Sequence, residues 1–196
     1  MKTLKGIRMI LVSCMMLFAM TSYGRDFKFG FQTNLVQWAN LGTANLEGSF
    51  GVSQHFSLHL GAKYNPWQFK VTNRMNEQKM DMYNNQISVN AGFRWWPWYV
   101  YSGWWLGAGV QYSDYANTGT VRPALHQGKA VGGTFSAGYN FMITKNFNID
   151  LGLAGWAGRT FDRKLYTDPD KTDVREGWDR AFIGFNDIFL ALVFVF

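Results

Sequence analysis

Phe185-Asn186-Asp187-Ile188-Phe189-Leu190-Ala191-Leu192-Val193-Phe194-Val195-Phe196 closes the chain with an apolar, aromatic-rich run that stops on phenylalanine. Ile188, Leu190, Leu192, Phe194 and Phe196 recur at period two, so an extended strand places them all on one face. A closing strand that turns one face to lipid needs that pattern, and the terminal Phe196 is the address expected for bacterial barrel-assembly machinery. The other face, with Phe189, Ala191, Val193 and Val195, is also apolar, so the alternation is imperfect and a buried strand of a soluble sheet reads similarly.

At the other end Lys2, Lys5 and Arg8 form a basic region, Met9 to Met20 an apolar one, and Ser22-Tyr23-Gly24 offers small residues for cleavage. Residues 1–24 are read as a secretory signal peptide and residues 25–196 as the mature domain. The apolar run is shorter than the roughly 20 residues of a membrane-spanning helix. Cys14, the single cysteine, follows Leu11-Val12-Ser13 and could be a lipidated residue. The apolar run before it, Met9 to Val12, is short for that role, so Cys14 is expected to leave with the signal.

Composition narrows the class. Aromatics make up 18% of the chain and charged residues 16%, with 21 glycines, a departure from soluble averages toward a barrel with an aromatic exterior. Half of the formal charge of +6 resides in Lys2, Lys5 and Arg8, and no dense basic stripe remains for nucleic acid. No phosphate-cradling glycine loop is present. The acidic residues Asp162, Asp168, Asp170, Asp173, Glu176 and Asp179 are interleaved with Arg163, Lys164, Lys171, Arg175 and Arg180, without calcium-loop spacing. Neither a metal nor a cofactor is expected.

Tested at period two, the mature chain resolves into about eight segments: Phe27 to Leu35, Ala44 to Val52, Phe56 to Tyr64, Ile87 to Trp95, Leu106 to Tyr112, Gly133 to Ile143, Phe147 to Leu153 and the final strand. Their connections alternate in length. Ser53-Gln54-His55, Thr144-Lys145-Asn146 and Pro97 to Ser102 are short, whereas Gln68 to Met82, Ser113 to Gly128 and Thr160 to Arg180 are long and polar. Val52 to Gly61 matches Ile143 to Gly152 in chemical type, so two hairpins share one turn chemistry. An all-β, eight-stranded antiparallel up-and-down transmembrane barrel follows, with short turns and both termini periplasmic and long loops outside. Trp95, Trp96, Trp98, Tyr99, Tyr101, Trp104 and Trp105, around Pro97, are expected at the periplasmic headgroup level, and Tyr64, Trp67, Tyr112, Tyr115 and Trp156 at the outer one. A soluble lipocalin-like barrel is the fold alternative; its apolar interior fits poorly with inward charges.

Those charges are the candidate site. Period two sends Lys28, Glu47, His59, Lys63, Arg94 and Asp150 inward, joined by Arg159 and Asp187, into a lumen that side chains can fill. Paired charges make a structural lumen; a switch of partners would make a gated pore. Catalysis has little to build on: His55 sits in a turn, His59 faces the lumen near Ser57, and His126 lies in a long loop.

Thr33 to Ala39, Ala44-Asn45-Leu46-Glu47, Asn65-Pro66-Trp67 and Arg94-Trp95-Trp96, continued by Leu106 to Tyr112 and Gly132 to Gly152, carry a resemblance. The chain is similar to a Bacteroides-type family catalogued as a domain of unknown function (DUF3575-like), which itself resembles small barrels of the OmpA and OmpX type in Gram-negative outer membranes. At the turn after the paired tryptophans, where many members are polar, this chain has Pro97-Trp98-Tyr99-Val100-Tyr101. The resemblance implies contact with outer-membrane lipid and lipopolysaccharide. Because some members accompany fimbrial genes, it also implies a surface or fimbrial partner. It brings no catalytic residues. The expectation is an outer-membrane protein with a structural, adhesive or surface-interaction role through its outer loops; the alternatives are a narrow channel for small solutes and a lipid-modifying enzyme.

Overall fold

Segments of alternating polarity joined by turn residues pair with their neighbours in the chain, and the last pairs with the first. The computed structural model describes residues 28–39, 42–72, 79–118, 125–166, 174–176 and 179–196, so the stretch read as a signal peptide, with Cys14, lies outside it. Its strands are β1 (Phe29–Asn34), β2 (Ala44–Gly51), β3 (Phe56–Thr72), β4 (Lys79–Trp95), β5 (Gly103–Thr118), β6 (Leu125–Met142), β7 (Phe147–Tyr166), the short β8 (Val174–Glu176) and β9 (Arg180–Val195). β1 to β7 each pair antiparallel with the next strand, β7 takes both β8 and β9, and β9 returns to β1. β1 to β7 and β9 are therefore a closed eight-stranded up-and-down barrel. Backbone bonds of 3.1 and 2.8 Å between Phe29 and Phe196 finish the seam.

The two similar turns are built alike. Val52 N and Ser53 N donate to Phe56 O at 2.9 and 3.2 Å, and Ser53 Oγ accepts from Phe56 N at 3.1 Å. Ile143 N and Thr144 N donate to Phe147 O at 3.1 and 2.9 Å, with Thr144 Oγ1 accepting from Phe147 N at 3.0 Å. A hydroxyl in the turn accepts the N–H of the first strand residue, which explains why the sequence repeats there.

The third turn, Pro97 to Ser102, is longer and uses left-handed backbone. Tyr101 and Gly103 have φ of 65° and 71°. A Cβ on Gly103 would lie 2.2 Å from Trp98 Cε3. Gly103→Ala combines backbone strain of about 1–2 kcal/mol with displacement of that ring. It should lower the temperature at which the barrel unfolds on a heat-modifiability gel, whereas Gly184→Ala, with open space around its Cα, should not.

Two expectations are corrected. The first strand ends at Asn34, not Leu35, because Asn34 Oδ1 accepts from Val36 N at 3.1 Å and caps a short helix, α1 (Leu35–Ala39). The stretches read as long loops are in large part strand: β3 runs to Thr72 and β4 starts at Lys79, β5 and β6 pair as far as Thr118↔Leu125, and β7 continues to Tyr166. Frequent polar and charged residues made these stretches read as loop, yet cross-strand backbone bonds extend whatever the side chains. A 17-residue strand such as β3, at about 3.3 Å per residue and a tilt of about 40°, climbs about 43 Å, well beyond the roughly 25 Å apolar band of a membrane barrel. The excess lies at the end away from the tight turns and raises β3 to β7 and β9 as a wall.

Outward positions carry the apolar residues. Leu58, Leu60, Phe93, Leu106, Val110, Phe135, Leu151, Leu153, Ile188 and Leu190 are all exposed, drawn from β3 to β7 and β9. Phe31 on β1 and Leu46 on β2 complete the ring.

Candidate functional site in the barrel lumen

Inward positions divide into three layers. At the bottom, by the tight turns, Trp96 and Trp105 are 0% and 1% exposed and pack with Val100, Tyr101, Val193, Val195 and Phe189. This corrects the reading of the Pro97 aromatics as a headgroup girdle. Trp95, Trp98, Tyr99 and Trp104 do face outward, but Trp96, Tyr101 and Trp105 plug the lumen. Period two already required one member of each Trp-Trp pair to turn inward. The plug also accounts for the imperfect last strand, since Phe189, Val193 and Val195 supply its apolar partners. Its polar tips are all engaged: Trp96 Nε1 donates to Ser57 Oγ at 3.0 Å, Trp105 Nε1 to Asp150 Oδ1 at 2.6 Å, and Tyr101 Oη lies 2.9 Å from Ser49 Oγ. Burial pushes the Tyr101 phenol up from its usual pKa, so it stays neutral.

Above the plug Arg94 is the hub. Its Nη2 donates to Glu47 Oε1 at 2.8 Å, its Nη1 to Asp150 Oδ2 and Gln32 Oε1 at 3.2 Å each, and its Cζ stands 4.3 Å from the Trp105 ring centre. One planar guanidinium thereby ties β4 to β1, β2, β5 and β7. Asp150 is wholly buried, and this pairing with Trp105 and Arg94 compensates its removal from water.

In the upper layer Lys63 Nζ pairs with Asp187 Oδ2 at 2.7 Å, and Gln37 Nε2 of α1 donates to the same oxygen. Gln111 and Asn186 exchange amide bonds of 3.3 and 3.0 Å across the lumen. Asn186 and its neighbour Asp187 can both serve the interior because a bulge sits between Ala154 and Gly155, where Asp187 and then Phe185 pair. The sequence carries that signal: outward apolar residues are odd at Ile183 and Phe185 but even at Ile188 and Leu190, a break of parity at Asn186.

Of the residues read as inward, Glu47, His59, Lys63, Arg94, Asp150 and Asp187 gather around this space. Lys28 does not. It precedes β1 at the rim and is exposed, and its backbone O accepts from Gly51 N at 2.9 Å. Arg159 is also exposed, as its parity with the outward Leu151 and Leu153 requires. Missed from the sequence were Gln32 and Gln37, whose amides bond Glu47, Arg94 and Asp187, and Gln111, which meets Asn186; Asn90, which alternation along Ile87 to Trp95 turns inward, donates to Glu47 Oε2 at 3.3 Å.

A cavity of about 50 Å³ remains between the hub and the upper layer, lined in part by Gln37, Glu47, His59, Lys63, Arg94 and Asp187. It admits a few waters but no sugar or nucleotide. Gln37 Oε1, His59 Nδ1 and Arg94 Nε, all on its wall, have no hydrogen-bond partner among the described residues, which makes the space polar. The Ser57 hydroxyl is held by Trp96 and not by His59. His126 is exposed on β6, not in a loop, and His55 Nδ1 lies 3.0 Å from Trp96 O while its ring stacks on Tyr99. Among the described residues no three His, Cys, Asp or Glu side chains converge as a metal-binding group.

An apolar-walled, antiparallel barrel of eight strands with an ion-paired lumen places the molecule in the class of small up-and-down β-barrels. The chain belongs to the family described as Protein of unknown function (DUF3575), which matches residues 9–196. No curated protein and no solved structure matches it.

Proposed function

We propose that this protein is an integral outer-membrane barrel of a Gram-negative bacterium whose lumen is a structural strut and whose outer wall serves adhesion or surface interaction. The observation that carries the proposal is the ring of outward Leu, Ile, Val and Phe side chains on β1 to β7 and β9. Water-facing exteriors rarely present contiguous apolar patches above a few hundred Å². A closed sheet leaves no backbone group for lipid to satisfy over the height of the ring. Outer-membrane lipid and lipopolysaccharide are its proposed surroundings, and the exposed Phe196 at the seam fits delivery by the barrel-assembly machinery.

Both termini lie with the short turns on the periplasmic side under this reading, and the extended strands stand above the outer leaflet. The plug and the three ion pairs inside favour a strut over a conduit, since a solute path would need Trp96, Tyr101 and Trp105 to leave their places. A lipid-modifying activity would need a nucleophile that His59 reaches, and Ser57 is committed elsewhere.

Fractionation of cells expressing the full chain tests the proposal. The protein should appear in the outer-membrane fraction and run at different positions on a gel with and without boiling. Recovery in the soluble periplasm would overturn it.

A further inference from the structure

The outer rim is uneven. β2 meets β3 no higher than Ala44↔Tyr64, and β1 meets β9 no higher than Asn34↔Ala191. β3 and β4 stay paired up to Thr72↔Lys79, and β7 and β9 up to Thr160↔Arg180. The wall is therefore two strands short on one side, and the edges of β3 and β9 face each other across three strand spacings, about 14 Å.

The two edges differ. β3 begins its free stretch with Pro66, which has no N–H, and with Trp67, whose Nε1 donates to Gly42 O at 3.1 Å, while Asn65 Nδ2 donates to Thr43 Oγ1 at 2.8 Å. Proline and a covering loop are means by which proteins blunt an edge. On β9 the Asn34 side chain takes Ile188 O at 2.7 Å and Leu190 N at 3.2 Å, two groups that a longer β1 would have met. Above that cap, Ala181 to Asn186 contains neither proline nor lysine. Among the described residues no strand pairs with it on the side away from β7.

Arg180 engages Thr160 Oγ1 of β7 through both its N–H and its C=O. Ladder alternation then turns the backbone groups of Ala181, Ile183 and Phe185 to the open side. Ile183 is 88% exposed and Phe185 63%, so this edge is flanked by apolar side chains.

We infer that the β9 edge from Ala181 to Asn186 receives an extended segment of another protein chain, added as a strand that continues the line of β1. A row of N–H and C=O groups at strand spacing is met by extended polypeptide; an acyl chain has no such groups, and a helix uses its own internally. Ile183 and Phe185 ask that segment for apolar residues at alternate positions. The inference rests on the surface role proposed above and names how the partner docks.

Amide hydrogen exchange over residues 180–187, read at the open-side amides of Ala181, Ile183 and Phe185, tests it, with the full chain in native outer membranes and, separately, as purified protein refolded alone into vesicles of extracted outer-membrane lipid. Exchange of this segment should be at least about 100-fold slower in native membranes, with no difference over residues 65–72. Ile183→Pro, which removes an open-side N–H, should abolish the protection while keeping the heat-modifiable band; Ala181→Pro replaces it if that band is lost. Equal exchange in both membranes would overturn the inference. So would slow exchange in the vesicles, which would assign the edge to lipid or to a second copy, and so would protection that survives the proline. Absence of the protein from the outer-membrane fraction would instead count against the surface reading itself.

Discussion

Arg94→Ala should cost about 3–5 kcal/mol, because it strips the shared cation from two carboxylates inside the barrel. Glu47 and Asp150 would remain with no positive partner at bonding distance, Lys63 being held by Asp187. For a chain of this size that loss lowers the unfolding temperature by about 10 °C or more, read from the temperature at which the compact gel band converts to the unfolded one. Arg94→Lys should rescue little, since one ammonium cannot span carboxylates on β2 and β7 while also lying on Trp105. Arg94→Met combined with Glu47→Gln and Asp150→Asn should recover most of the loss, as removing all charges together leaves none stranded. Equal stability of Arg94→Ala and the parent would show that the lumen charges do not hold the strands together.

Trp105→Ala is expected to be nearly as damaging and to change transport as well. The ring is 1% exposed, bonds Asp150, supports Arg94, and rests on Gly138 and Gly152, where a Cβ would come within 2.5 and 3.1 Å of its Cζ2. Truncation removes the transfer energy of the ring, leaves a cavity and frees an acceptor on Asp150, together about 3–5 kcal/mol. The parent protein in a planar bilayer should be silent, because the plug seals the end at the short turns. Trp96→Ala with Trp105→Ala should show discrete conductance steps. Steps of the same size from the parent would favour the channel over the strut.

The barrel was legible because period two is a local property. Phe147 to Leu153 or Ile188 to Phe196 shows which side chains share a face whatever they pack against, and the repeated hydroxyl turns mark where strands reverse. The upper strands were not legible, since stretches such as Ser113 to Asn117 have no apolar residue at every second position and their pairing comes from the backbone. The inward sets on β2, β3, β4 and β7 likewise followed from alternation, which is why Glu47, Lys63, Arg94 and Asp150 could be named together.

By itself, then, the sequence determined the strand count, the direction of each side chain along a regular strand and the apolar exterior, because these depend only on neighbours one or two residues away. The tertiary structure decided which charges meet, that Trp96 and Trp105 close the lumen, and that β9 outreaches β1. Each of those depends on register between strands distant in sequence, as between Asn34 and Ala191, where closure of the barrel and no local preference sets the pairing.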